Sequence, residues 1–146
     1  MALTDMIVPV AVQDAAGRLQ AQQFEETALA VGTGASPSQD IRPNGRFGRT
    51  AIELTNTGGT NALATCKVQA KVHPNGAWFD WVTSAELNTG TAIAGRLVQV
   101  VTNPTNLAAA GVSNIVIDTT ALWAIRLSMT GAAATTVTIR ATSGSA

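Results

Sequence analysis

The chain has 146 residues with nine basic and nine acidic groups, so it has the length of one domain and no basic stripe for nucleic acid. Its single cysteine excludes an intrachain disulfide, and no apolar run is long enough to cross a membrane as a helix. Charged residues are only 12%, about half the usual share, which leaves a surface weakly defended against association.

Residues 1–25 read as an N-terminal arm. Val8, Val10 and Val12 alternate as in a short strand, which Pro9 confines to a sheet edge. Gln13 to Phe24 carries a thin apolar stripe, Leu19 and Phe24 with alanines, so an extended arm is expected rather than a short helix. Such an arm either frays or straps a neighbouring subunit. The opening stretch lacks a basic n-region and contains Asp5 and Pro9, a poor secretory signal, so synthesis in a cytoplasm is expected.

Residues 26–142 read as one β-domain. Glu26 to Val31 is a strand with Leu29 and Val31 inward, followed by a Gly/Ser/Pro loop that runs on to Arg49. Thr50 to Asn56 turns Ile52 and Leu54 inward. Ala62 to His73 turns Ala64, Cys66, Val68, Ala70 and Val72 inward. The Gly-rich stretch Thr57–Asn61 joins them as an expected antiparallel hairpin. Ala77 to Thr83 carries aromatics on both faces, Trp78, Asp80 and Val82 against Phe79, Trp81 and Thr83. One helical turn at Ser84–Leu87 is compatible with the polar stretch that follows. Arg96 to Thr102 and Val112 to Asp118 are strands, the latter with Ile115 and Ile117 inward. Ala121 to Thr142 alternates with period two on both sides of Gly131–Ala134, and a second hairpin is expected there. Residues 143–146 read as a flexible tail. About eight strands with regular turns predict an all-β, antiparallel β-sandwich of jelly-roll or Greek-key type. With 4% aromatics and many alanines, Trp78, Phe79, Trp81 and Trp123 are the expected core anchors.

Little in the chain points to catalysis. The single histidine, His73, falls at a strand end on the polar phase, and Cys66 falls on an apolar phase as a buried thiol. These two cannot supply a zinc set, and no Asp-rich calcium loop is present. Glu53, Asp80, Glu86 and Asp118 show no spacing that pairs two carboxylates. A non-enzymatic protein without metal or cofactor is expected. Arg42, Arg46 and Arg49 make the most basic stretch, suited either to phosphate or an acidic neighbour, or to a solvated loop. Trp78 and Trp81, with Asp80 between them, fit either a sandwich core or a surface that stacks on sugar.

The arm VQDAAGRLQAQQFEET and the Thr-rich end LWAIRLSMTGAAATTVTIRATSG, in a small Ala/Thr/Gly-rich β-chain with two lysines, resemble tailed-phage head decoration (cement) proteins. The resemblance implies a virion protein on the outer capsid surface, made in the host cytoplasm. It would partner the major capsid protein as a homo-oligomer, a trimer foremost, and would bind neither nucleic acid nor membrane. A low-charge surface, strand edges and multivalent attachment suit that role. On this reading Leu19, Gln23, Phe24, Arg42, Arg46 and Arg49 are the candidate capsid or subunit contacts. The rival is a glycan-binding tail or fibre module using Trp78, Asp80 and Trp81. A tail or connector component is a third reading.

Overall fold

The computed structural model describes residues 22–43, 48–89, 93 and 95–144. These form β1 (Gln22–Val31), β2 (Ser36–Pro37), β3 (Arg49–Asn56), β4 (Leu63–Lys71), β5 (Phe79–Val82), α1 (Ser84–Thr89), β6 (Leu97–Val101), β7 (Val112–Asp118), β8 (Ala124–Gly131) and β9 (Thr135–Gly144). The strands make two antiparallel sheets, β1-β9-β3-β7-β6 and β2-β8-β4-β5, packed as a sandwich. The expected all-β sandwich is thus the fold.

The expected hairpins are not hairpins. β3 and β4 lie in different sheets, and so do β8 and β9. Each pair is an arch that crosses the core, and the two arches pair with one another: β3 with β9, and β4 with β8. Among the described strands only β4–β5 and β6–β7 join sequence neighbours within a sheet. Alternation assigns each residue a face and says nothing of its hydrogen-bonded neighbour, so an arch and a hairpin carry the same pattern.

The two bends press against each other. A Cβ on Gly58 would lie 1.8 Å from Thr135 Oγ1. Asn56, wholly buried at the end of β3, joins them. Its Nδ2 donates to the Asn61 carbonyl (2.9 Å) and the Leu107 carbonyl (3.0 Å). Its Oδ1 accepts from Thr135 Oγ1 (2.8 Å) and Gly58 N–H (3.2 Å). Its backbone N–H donates to Gly111 O, and its carbonyl accepts from Ala110 N–H. Every donor and acceptor of this residue is used, across three loops.

The core between the sheets is aliphatic. Ile52, Leu54, Ile115, Ile117 and Ile139 face Val68, Ile125, Leu127 and Met129, with Leu63, Leu87 and Leu97 also fully enclosed. Each such side chain contributes roughly 1.5–3 kcal/mol on burial. The expected aromatic anchors are not in it: Trp78, Trp81 and Trp123 are half-buried and Phe79 is 39% exposed. Val72, expected inward, lies beyond the end of β4 and is 62% exposed. At the other end a register shift between Leu63 and Thr65 turns Leu63 inward in place of Ala64.

The arm and tail boundaries also move. β1 begins at Gln22 and pairs with β9 as far as Ser143, so Gln23 and Phe24 are strand residues. Ser143 is buried, and its hydroxyl meets Thr50 Oγ1 at 2.9 Å. The remainder of the proposed arm and Ser145–Ala146 lie outside the described residues. α1 starts with a reciprocal cap: Glu86 N–H donates to Thr83 Oγ1 (3.2 Å), and Thr83 N–H donates to Glu86 Oε1 (3.0 Å).

Asn56→Ala removes four side-chain hydrogen bonds at the junction of three loops, including the bond that the buried Thr135 hydroxyl donates, and opens a cavity in their place. It is expected to lower the unfolding free energy by about 3 kcal/mol in urea titration with an unchanged slope. A loss under about 1 kcal/mol would contradict the role given to this residue.

Candidate functional site

The chemistry of the described surface concentrates on the outer face of the four-stranded sheet. Antiparallel pairing sets Lys67 opposite Ser128, Gln69 opposite Arg126, and Lys71 opposite Ala124. Gln69 also pairs with Asp80 of β5. A register shift in β5 makes this contact: Asp80 pairs with outward Gln69, while Val82 pairs with buried Val68. Asp80 and Val82 therefore do not share a face, contrary to simple alternation.

A polar chain runs across the sheet from there. Lys67 Nζ lies 3.1 Å from Asp80 Oδ1. Gln69 Nε2 donates to Asp80 Oδ1 (3.3 Å), and Arg126 Nε donates to Gln69 Oε1 (2.9 Å). The hydrogen bond from Lys67 is the main reason the Asp80 carboxyl sits below its ordinary range; desolvation opposes it, and the Gln69 hydrogen bond and the Lys67 charge add to the lowering. The Arg126 guanidinium carbon lies 4.3 Å from the Trp78 ring centroid, and Lys71 Nζ lies 5.3 Å from the same ring. At the same end of the face the Arg42 guanidinium stacks 3.6 Å over Trp123. The bridge between Ile41 and Ile125 sets Arg42 beside Ala124 in the outward phase, in one row with Lys71.

The expected contact residues do not converge. Arg42 lies on this face, whereas exposed Arg49 opens β3 in the other sheet, between Asp118 and Gly144. Gln23 is exposed on β1, and half-buried Phe24 packs against the core opposite Ala141. Leu19 and Arg46 lie outside the described residues. Of the three proposed glycan residues, Trp78 and Asp80 share the outer face. Trp81 packs against the core, edge-on to Phe79, and its Nε1 donates to the Asp118 carbonyl (2.9 Å). Of the residues that sequence reading left out of the site, Lys67, Lys71 and Arg126 are brought in by cross-strand register, and their outward phase was the available signal. Trp123 precedes β8 in the phase of inward Ile125, so alternation pointed it to the core instead.

The other sheet presents a different face. Arg140 of β9 is held by Glu25 of β1 (2.6 Å) and Glu53 of β3 (3.2 Å). Beside it a shallow depression is lined by Ala51, Val98, Gln99, Val116, Thr142 and Gly144, with Arg49 at its end. His73 is exposed, and its Nδ1 accepts from Asn75 N–H (3.1 Å). No group of three metal-ligating side chains occurs among the described residues.

No family model and no curated protein matches the chain. Among solved structures it is similar to the crystal structure of the SPBc2 prophage-derived protein YomS. Identity is 16% and the TM-score 0.46, over 84% of this chain and 95% of that one.

Cys66 is fully buried, and desolvation pushes its thiol from 9.0 up to about 12. The folded state thus favours the neutral thiol. That contribution is complete below about pH 9 and is lost as pH rises toward 12. Ellman's reagent is expected to label Cys66 only upon unfolding, and Cys66→Ala to flatten the fall in stability between pH 8.5 and about 10.5. Rapid labelling of the folded protein would contradict this placement.

Proposed function

We propose that the chain is a non-enzymatic virion structural protein that binds the outer surface of a tailed-phage capsid and bridges neighbouring capsid subunits. The observation that carries this reading is the division of the surface into two broad sheet faces of opposite character. One is small-residued, with its central Arg140 shared by Glu25 and Glu53, and the other is basic and built on tryptophan. A small-residued face whose central cation is already paired leaves room for a second copy of the chain, which suits a homo-oligomer, a trimer foremost. The second face is left for the shell. Repetition over many capsid sites then converts modest single contacts into firm holding.

The glycan reading draws less from the geometry. Stacking on sugar needs a free aromatic face, and Trp78 already carries two cations while Trp81 packs against the core.

The test is co-sedimentation with expanded capsids assembled from the major capsid protein encoded with the chain, alongside light scattering over a concentration series. The expected result is saturable binding, a raised capsid melting temperature and a solution mass of three times 14.9 kDa. No binding to expanded capsids would overturn the capsid role. Binding by a persistent monomer would overturn the trimer alone.

A further inference from the structure

The outer face of the four-stranded sheet carries an imbalance that the whole chain does not. Arg42, Lys67, Lys71 and Arg126 all reach it, in a chain whose net charge is zero. Asp80 is the one described carboxylate paired to any of them, and it serves Lys67. Arg42, Lys71 and Arg126 have no carboxylate partner among the described residues. The buried Nε of Arg42 has no hydrogen-bond partner of any kind. On the opposite sheet the central cation, Arg140, is shared by two glutamates, and exposed Arg49 at the end of β3 stands alone among the described residues.

The tryptophans give these cations a fixed geometry. A guanidinium laid on an indole keeps its N–H edge in the plane of the stack, free to meet a planar acid with two parallel bonds. Lys71, Ala124 and Arg42 stand in one row across β4, β8 and the bridged segment at Ile41, so the Lys71 and Arg42 backbones are about 10 Å apart, twice the strand spacing. Ala124 between them is small and wholly buried, so the longer side chains around it close over it.

Building on the capsid-binding reading, we propose that this face docks a carboxylate-rich protein surface of the shell, with Arg42, Lys71 and Arg126 as the contacting cations. Charge complementarity selects an acidic occupant. Ring occupancy argues against nucleobases and sugars, because both need the aromatic faces that the cations cover. Three unpaired cations also fall short of the roughly six to ten phosphate contacts typical of nucleic-acid backbone binding.

The test titrates the full chain with poly-L-glutamate and with polyphosphate at equal charge, in about 20 mM and about 200 mM salt. The expected result is binding to poly-L-glutamate that weakens at least tenfold with salt, at an affinity no lower than that for polyphosphate. Arg126→Glu with Lys71→Glu should remove it, and Arg49→Glu on the opposite sheet should change it less than about twofold. Thermal melts check that the variants fold, and Arg126→Gln with Lys71→Gln, which adds no like charge beside Asp80, should weaken binding at least fivefold. Absence of poly-L-glutamate binding, preference for polyphosphate, or indifference to both pairs of substitutions would overturn the proposal. Capsid co-sedimentation of the same variants separates the two ideas. Capsid binding by the wild type that survives both pairs overturns this docking face and leaves the capsid role standing.

Discussion

One buried amide, that of Asn56, sets the geometry on which the rest of the sandwich depends. It sits where β3 leaves its sheet and holds the 57–62 bend, the 107–111 loop and the start of β9 at once. A buried amide costs several kcal/mol if left unpaired and little if every bond is made, so the three loops are held to a single arrangement. That arrangement sends β4 across the core and brings β9 back beside β3. The two arches then pair along their full length, and the aliphatic residues of both sheets meet between them.

Everything on the outside follows from that pairing. Because β4 lies beside β8, two strands distant in sequence pool their outward cations, and β5 with the residue before it adds Asp80 and Trp78 at the edge. Because β9 lies between β1 and β3, Arg140 falls between two glutamates and is neutralised. The same neutral chain thus acquires one face whose central cation is paired and one face whose cations are mostly open. Cation–π stacking then holds the open charges close to the surface without cancelling them, where a salt bridge would have done both.

Much of this was legible in the residues, but only one strand at a time. Cys66, Val68 and Ala70 in β4, and Ile115 and Ile117 in β7, face inward as their alternation predicts. Alternation carries no partner information, so both arches read as hairpins. Bulges hid more. In β1 the register shift between Glu26 and Leu29, where Ala28 has φ of 54°, puts Phe24 and Leu29 on one side and makes the strand look shorter than it is. In β5 the same device separates Asp80 from Val82. The T-x-x-E at Thr83–Glu86 was a readable helix start. Of the basic face, Arg42, Trp78 and Asp80 could be singled out as unusual residues. Their company with Lys71 and Arg126 is a product of cross-strand register, which no local pattern encodes.

The orientation of the chain on the shell is the claim that joins fold to function. Cryo-electron microscopy of expanded capsids incubated with the chain measures it directly. Added density at subunit junctions, with the β2-β8-β4-β5 face against acidic side chains of the shell and the β9-β3-β7 face against a second copy, is the expected result. Density with the two faces exchanged, or a capsid with no added density at saturating protein, would contradict it.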